Sequence, residues 1–196
     1  AANFRANGVR QADRVALMLP NLPQTIITYW GLLKAGAVVV MTNPLYMEKE
    51  LSHHLADSGT RFLVTLDRLY AKVAPLRPQL PELRKIFVTG IEDGLRFPFK
   101  QLYTLKTRRS GEKVDIPFDD ATVLPWKSLL KAGAPPVHPH INPHRDLAVL
   151  QYTGGTTGIS KGVMLSHANM AANVQQCLAM LHRIGEKQET VLGLLP

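Results

Sequence analysis

A chain of 196 residues with 45% apolar side chains is long enough to bury one substantial core and too apolar to be disordered. Its formal charge of +8 suits a negatively charged small substrate, an anionic membrane surface or nucleic acid, and its single cysteine, Cys177, excludes an internal disulfide. No apolar run approaches the length of a membrane span, about eighteen residues, and Ala1-Ala2-Asn3-Phe4 lacks a signal-peptide pattern, so a cytoplasmic protein, free or peripheral to the inner face of the membrane, is expected.

Residues 1–90 read as alternating strands and helices. The apolar run Arg14–Leu19 predicts a buried strand, Asn21 offers a helix cap, and Pro23 suits the first turn. Ile26, Trp30 and Leu33 then recur at helical spacing, and Gly36 ends the segment. Ala37–Met41 predicts a β-branched strand. After the turn Thr42-Asn43-Pro44-Leu45-Tyr46, a helix over Met47–Ser58 carries Leu51 and Leu55 on one face and stops at Gly59. Phe62–Leu66 is the third predicted strand. A helix interrupted by Pro75, Pro78 and Pro81 leads to the fourth, Ile86–Thr89. Strands separated by helices in this way predict an α/β fold, a mostly parallel sheet with flanking helices.

Residues 91–145 break the rhythm. They hold seven of the fourteen prolines, and Lys100, Lys106, Arg108, Arg109 and Lys113 crowd against one acid, Glu112. They read as a Pro-rich basic insertion or linker, with too few periodic apolar residues for a core of its own. The stretch Phe97–Lys113 interleaves its cations with Phe99, Leu102, Tyr103 and Leu105, which suits peripheral contact with an anionic membrane, although charge runs are more often simply solvated. His138, His140 and His144 alternate with prolines and read as exposed loop residues; a metal site is the less favoured reading.

Residues 146–196 resume the α/β pattern. Leu147–Gln151 predicts a strand, Gly162–Ser166 a second short one, Ser166 a cap for a helix from about Ala168 to Arg183, and Thr190–Leu195 a further strand. Cys177 has helical spacing with Ala171, Val174, Leu178 and Leu181 and reads as a core or helix-face thiol. His167 is read either as a ligand contact or as a capping or strand-end packing residue. The chain stops at Pro196 directly after an apolar strand, which reads as a fragment lacking a C-terminal domain.

Between the two strands lies Tyr152-Thr153-Gly154-Gly155-Thr156-Thr157-Gly158-Ile159-Ser160-Lys161-Gly162-Val163, with four glycines, four Ser or Thr hydroxyls and one lysine. These residues offer little to a core but much to an anion: glycine lets backbone N–H groups approach a ligand, successive N–H groups form an oxyanion-sized concavity, and Lys161 adds a compact positive charge. The spacing departs from G-x-x-x-x-G-K-[ST] running into a helix, and from G-x-G-x-x-G.

The order Y-T-G-G-T-T-G-I-S-K-G-V-M-L-S-H resembles the signature loop of the adenylate-forming enzymes, and its Tyr-Thr-Gly-Gly opening most resembles bacterial long-chain fatty-acid–CoA ligases. Asp13-Arg14-Val15-Ala16-Leu17-Met18-Leu19-Pro20-Asn21, Leu33-Lys34-Ala35-Gly36-Ala37 and Asn43-Pro44-Leu45-Tyr46 extend the resemblance to residues 1–90 and 145–196. It implies part of the large N-terminal domain of such an enzyme, with ATP, Mg²⁺ and coenzyme A as cofactor and co-substrates and a fatty acid as substrate. Thr153, Thr156 and Thr157 would contact the β- and γ-phosphates of ATP through their hydroxyls, and Gly154, Gly155 and Gly158 through backbone N–H groups. Lys161 would be the catalytic charge partner of the leaving pyrophosphate, unless it holds the loop shut by an ion pair. Thr156 is the second implied catalytic residue and the implied metal contact.

The resemblance also implies a metal carboxylate, ribose and adenine contacts and a second lysine outside these residues, so the 196 residues alone are expected to bind nucleotide weakly and not to turn over. A homodimer is compatible with this reading, and no nucleic-acid partner is expected because the basic residues lie in one insertion without a binding motif. An aryl-acid or medium-chain CoA ligase, or a non-catalytic nucleotide-binding scaffold, are the competing readings.

Overall fold

The computed structural model describes residues 1–111, 114–119, 121–131, 135, 138–153 and 160–180. A short helix α1 (Ala2–Ala6) is followed by β1 (Arg14–Met18), α2 (Pro23–Lys34), β2 (Val38–Met41), α3 (Glu48–Asp57), β3 (Phe62–Leu66), α4 (Asp67–Val73) and β4 (Lys85–Thr89). Then come α5 (Phe99–Arg109), β5 (Val123–Pro125), β6 (Leu147–Thr153), β7 (Lys161–Ser166) and α6 (His167–Met180). The seven strands form one sheet in the order β5-β4-β3-β1-β2-β6-β7. Every pairing is parallel except that of β6 with β7.

The near-continuous apolar runs of β1 to β4 reflect a sheet covered on both sides. Because side chains alternate along a strand, Val15, Leu17, Phe62, Val64 and Phe87 join one core with Phe4 and Leu32. Ala16, Met18, Val38, Val40, Leu63, Ile86 and Val88 join the other, with Leu51, Leu55, Tyr70 and Val73. Thus α1 and α2 cover one face, and α3 and α4 the other. Residues 91–145 also enter this sheet: β5 adds an edge strand, and Trp126 and Leu129 are buried in the first core.

Three expectations are corrected. In α2, Ile26 and Trp30 are 64% and 58% exposed, and the buried positions are Gln24, Thr28 and Leu32. Two polar side chains occupy that face because they have partners: Gln24 donates from Nε2 to the Gly90 carbonyl at 3.0 Å, and Trp126 donates from Nε1 to Thr28 Oγ1 at 2.8 Å. The cap position of α2 is Leu22, not Asn21; Pro23 removes one N–H that would otherwise need a partner there, and Thr25 Oγ1 ties back to the Pro20 carbonyl at 2.6 Å. Cys177 is exposed, as are its neighbours Val174 and Leu178, because α6 buries no side chain among the described residues. The strand expected over Thr190–Leu195 lies outside the described residues.

Gly36 and Gly59 end α2 and α3 with φ of +75° and +61°, a left-handed turn that glycine adopts without strain. A Cβ at Gly36 would also sit 2.9 Å from Pro139 Cβ, whereas one at Gly8, with φ of +96°, would meet nothing within 4 Å. Gly8→Ala is therefore expected to lose only the left-handed penalty, about 1–2 kcal/mol, and Gly36→Ala distinctly more. Equal losses in urea unfolding would show that the contact with Pro139 is not felt.

Candidate functional site

In a parallel sheet the loops that leave the C-terminal ends of the strands are where ligands bind, and here two such loops are neighbours. Strand β2 leads into residues 42–46, and the adjacent β6 leads into the glycine-rich stretch. The second loop is the turn of a hairpin: Thr153 pairs with Lys161, Tyr152 with Gly162, and Gln151 with Val163. Ser160 Oγ donates to the Thr153 carbonyl at 2.9 Å and closes its neck.

Pairing partners in a ladder share a face. Thr153 and Lys161 are both exposed and project together from one face, while Tyr152 and Gly162 occupy the other, where Tyr152 is buried. Val163, opposite Gln151, is 43% exposed. Gly154, Gly155, Thr156, Thr157, Gly158 and Ile159 lie outside the described residues. Of the predicted site, the structure thus brings together Tyr152, Thr153, Ser160, Lys161, Gly162 and Val163 at the base of the loop. His167 follows β7 at the opposite end of the hairpin, where its backbone N–H donates to the Asp146 carbonyl at 3.3 Å. His138, His140 and His144 are exposed.

Behind the loop stands a column of side chains that sequence reasoning missed. The Tyr152 hydroxyl donates to Asp57 Oδ2 at 2.5 Å, and its ring lies 4.1 Å, centroid to centroid, from the imidazole of His54. His54 is 2% exposed and contacts the ring of Tyr46 at 5.4 Å on its other side. Its Nε2 is 3.0 Å from Thr42 Oγ1, whose hydroxyl donates to the Val40 carbonyl. This network assigns the proton to Nε2 and leaves the buried Nδ1 an acceptor without a partner. The available signal was the spacing Leu51, His54, Leu55, Ser58, which sets a histidine on the apolar stripe of α3.

Burial keeps the two rings, Tyr152 and His54, uncharged at neutral pH. Burial, reinforced by the bond to Asp57, pushes the Tyr152 phenol above its ordinary pKa. Burial pulls His54 down to about 4; the Asp57 carboxylate opposes that shift, and His53 adds to it. The first loop is held from below, as Lys72 Nζ donates to the carbonyls of Pro44 and Tyr46 at 3.3 and 3.4 Å. No group of three or more His, Cys, Asp or Glu among the described residues could hold a metal ion, and Thr156 lies outside them.

The sequence profile of the AMP-binding enzymes matches residues 1–196. The chain belongs to the AMP-binding enzyme family. Within that family it is 44% identical to a long-chain-fatty-acid–CoA ligase of Bacillus subtilis, aligned over all of this chain and 35% of that protein. It is 38% identical to a ligase of the same name from Escherichia coli, over 95% of this chain and 34% of the relative. A probable 4-coumarate–CoA ligase of Dictyostelium discoideum is 30% identical over the whole chain and 34% of the relative. Among solved structures, a long-chain-fatty-acid–CoA ligase of Archaeoglobus fulgidus superposes with a TM-score of 0.69 at 27% identity, over 93% of this chain and 30% of that one. The chain thus spans about a third of the length of these AMP-binding relatives, and its mostly parallel sheet with flanking helices is their N-terminal architecture.

The buried imidazole gives this site a pH signature. Unfolded histidine, with a pKa of about 6.5, takes up a proton before His54 does in the fold, so its contribution to stability is complete above pH 6.5. It falls as pH drops toward 4, by on the order of 2–3 kcal/mol. Urea unfolding of the wild type and His54→Gln across this window should give a shallower slope for the variant; parallel slopes would refute the assignment.

Proposed function

We propose that the full-length protein of which these residues form about a third activates a long-chain fatty acid with ATP and transfers it to coenzyme A. A carboxylate is a poor acyl donor because oxide is a poor leaving group. In the proposed first step a carboxylate oxygen attacks the α-phosphorus of ATP, the bond to the β-phosphate breaks, and pyrophosphate departs. In the second, the coenzyme A sulfur, having lost its proton, attacks the acyl carbonyl and AMP leaves.

The observation that supports this reading is the hairpin base, where Thr153 and Lys161 stand side by side at the C-terminal end of β6. Charge accumulates on the departing phosphates, and donors fixed in advance of the reaction stabilise it most effectively. In this reading Lys161 meets the pyrophosphate, Thr153, Thr156 and Thr157 add hydroxyl donors, and Gly154, Gly155 and Gly158 add backbone N–H groups. Tyr152, Ile159, Ser160, Gly162 and Val163 complete the proposed nucleotide-binding stretch. Of this set Thr156 is the proposed oxygen ligand for Mg²⁺, which would neutralise phosphate charge when bound. The names of the Bacillus and Escherichia relatives support a long-chain acid as substrate, and the 30% identity to the 4-coumarate–CoA ligase supports an aryl acid as the second reading.

ATP–pyrophosphate exchange by the full-length protein across acids of increasing chain length tests the substrate. Exchange that needs a long-chain acid is expected, and exchange with aromatic acids alone would favour the second reading. Lys161→Met is expected to slow exchange by on the order of 10²–10³-fold, as removal of one transition-state donor does elsewhere. An unchanged rate at saturating acid would sink the role given to Lys161.

A further inference from the structure

Helix α5 is set the wrong way round for a helix that packs on its own domain. None of its eleven side chains is buried. Lys100, Tyr103, Thr104 and Thr107, which share one side of the helix, are half-buried. The apolar residues face out: Phe99, Leu102 and Leu105 are 65%, 59% and 49% exposed, and Phe97 just before the helix is 80% exposed. The inward threonines satisfy themselves, Thr104 Oγ1 donating to the Lys100 carbonyl at 2.9 Å and Thr107 Oγ1 to the Tyr103 carbonyl at 3.1 Å. An apolar stripe left in water by its own fold marks a surface that something else covers.

Charge selects the occupant. Residues 96–109 carry Arg96, Lys100, Lys106, Arg108 and Arg109 and no acidic side chain. A second copy of the chain would lay those cations on their own counterparts, which like-charge repulsion opposes. On the flank of the stripe a depression of about 300 Å³ is lined by Lys100, Gln101, Thr104, Leu105 and Arg108, so two cations and an apolar side chain meet at one hollow. Apolar side chains interleaved with long cationic ones along a short surface helix match the headgroup boundary of an anionic bilayer, where acyl chains take the rings and anionic headgroups take the charges.

We propose that α5 is a membrane-docking helix, which lies in the plane of an anionic lipid surface with Phe97, Phe99, Leu102 and Leu105 inserted and Arg96, Lys106 and Arg109 among the headgroups. Its position agrees with such a role. The helix starts ten residues after β4 ends, so it springs from the same C-terminal edge of the sheet as the glycine-rich loop, with β4 and β6 four strand spacings apart, about 19 Å.

The test uses the full-length protein and reads binding, not turnover, so it stands whether or not the ligase reading does. With vesicles of phosphatidylcholine plus phosphatidylglycerol, the wild type should co-sediment, lose binding as salt rises, and bind pure phosphatidylcholine at least tenfold less. The charge reversal Lys106→Glu/Arg109→Glu should weaken partition by more than about tenfold, and Phe99→Ser/Leu102→Ser comparably, with melting temperature and exchange of a short soluble acid unchanged. A Phe99→Trp variant should shift its emission to the blue on adding the anionic vesicles. Equal binding by wild type and variants, or indifference to lipid charge and salt, would overturn the proposal. So would Trp emission already blue in buffer and unmoved by lipid, which would mean that another part of the protein covers the stripe.

Discussion

The placement of one aromatic ring constrains the loop end of this sheet. Strand β6 is pinned between parallel β2 and antiparallel β7, so the side chain of Tyr152 must point into the space under α3. The ring fits because the residue opposite is Gly162, where a Cβ would approach to 3.0 Å of Tyr152 Cε2 and Cζ. Burying the ring also buries a hydroxyl, which costs free energy unless it is bonded, and Asp57 at the end of α3 accepts it. A strand, a hairpin and a helix distant in sequence are thereby tied at one point, immediately below the glycine-rich loop.

That tie explains the division of labour around the loop. A stretch this rich in glycine carries a high entropic cost of ordering by its composition. Its two ends are nevertheless fixed by ladder hydrogen bonds, by Ser160 on the Thr153 carbonyl, and by the ring beneath. His54 fills the remaining gap between Tyr152 and Tyr46 and couples the loop after β2 to the loop after β6 through Thr42. Pre-organisation of this kind reduces the ordering cost charged against ligand binding. It also accounts for a buried imidazole with an unpartnered nitrogen, which a purely packing role would have given to leucine.

The sheet was legible because its signals are local: apolar runs of strand length, punctuated by Gly36 and Gly59, define β1 to β4 with errors of a residue at most. The two strands that flank the glycine-rich stretch were legible in the same way, and their pairing puts Thr153 opposite Lys161. What escaped depended on partners far along the chain. Gln24 and Thr28 carry no apolar signal, and their burial in α2 rests on Gly90 and Trp126, 66 and 98 residues away, which take the Gln24 Nε2 and Thr28 Oγ1 bonds. β5 is three residues long, too short for an alternation pattern to register. His54 carried no motif, and its meaning comes only from the strand laid across it. Cys177 and the stripe on α6 show the reverse error, since helical spacing specifies an apolar face but not what covers it.

The two chemically distinct ends of this molecule share an edge. In a parallel sheet every strand ends on the same side, so a loop after β6 and a helix reached from β4 emerge toward the same region without any further device. A long-chain acid is nearly insoluble as a monomer and partitions into bilayers, gaining about 0.8 kcal/mol for each CH₂ removed from water. An enzyme that waits for it in solution works against that gradient, whereas one that rests its loop-bearing edge near the bilayer meets the carboxylate where it already lies. On the proposed reading, the positive field that would hold the edge to anionic lipid would also draw a nucleotide polyphosphate toward Lys161. Topology alone therefore brings the proposed phosphate site and the proposed lipid-facing helix to one edge of the sheet.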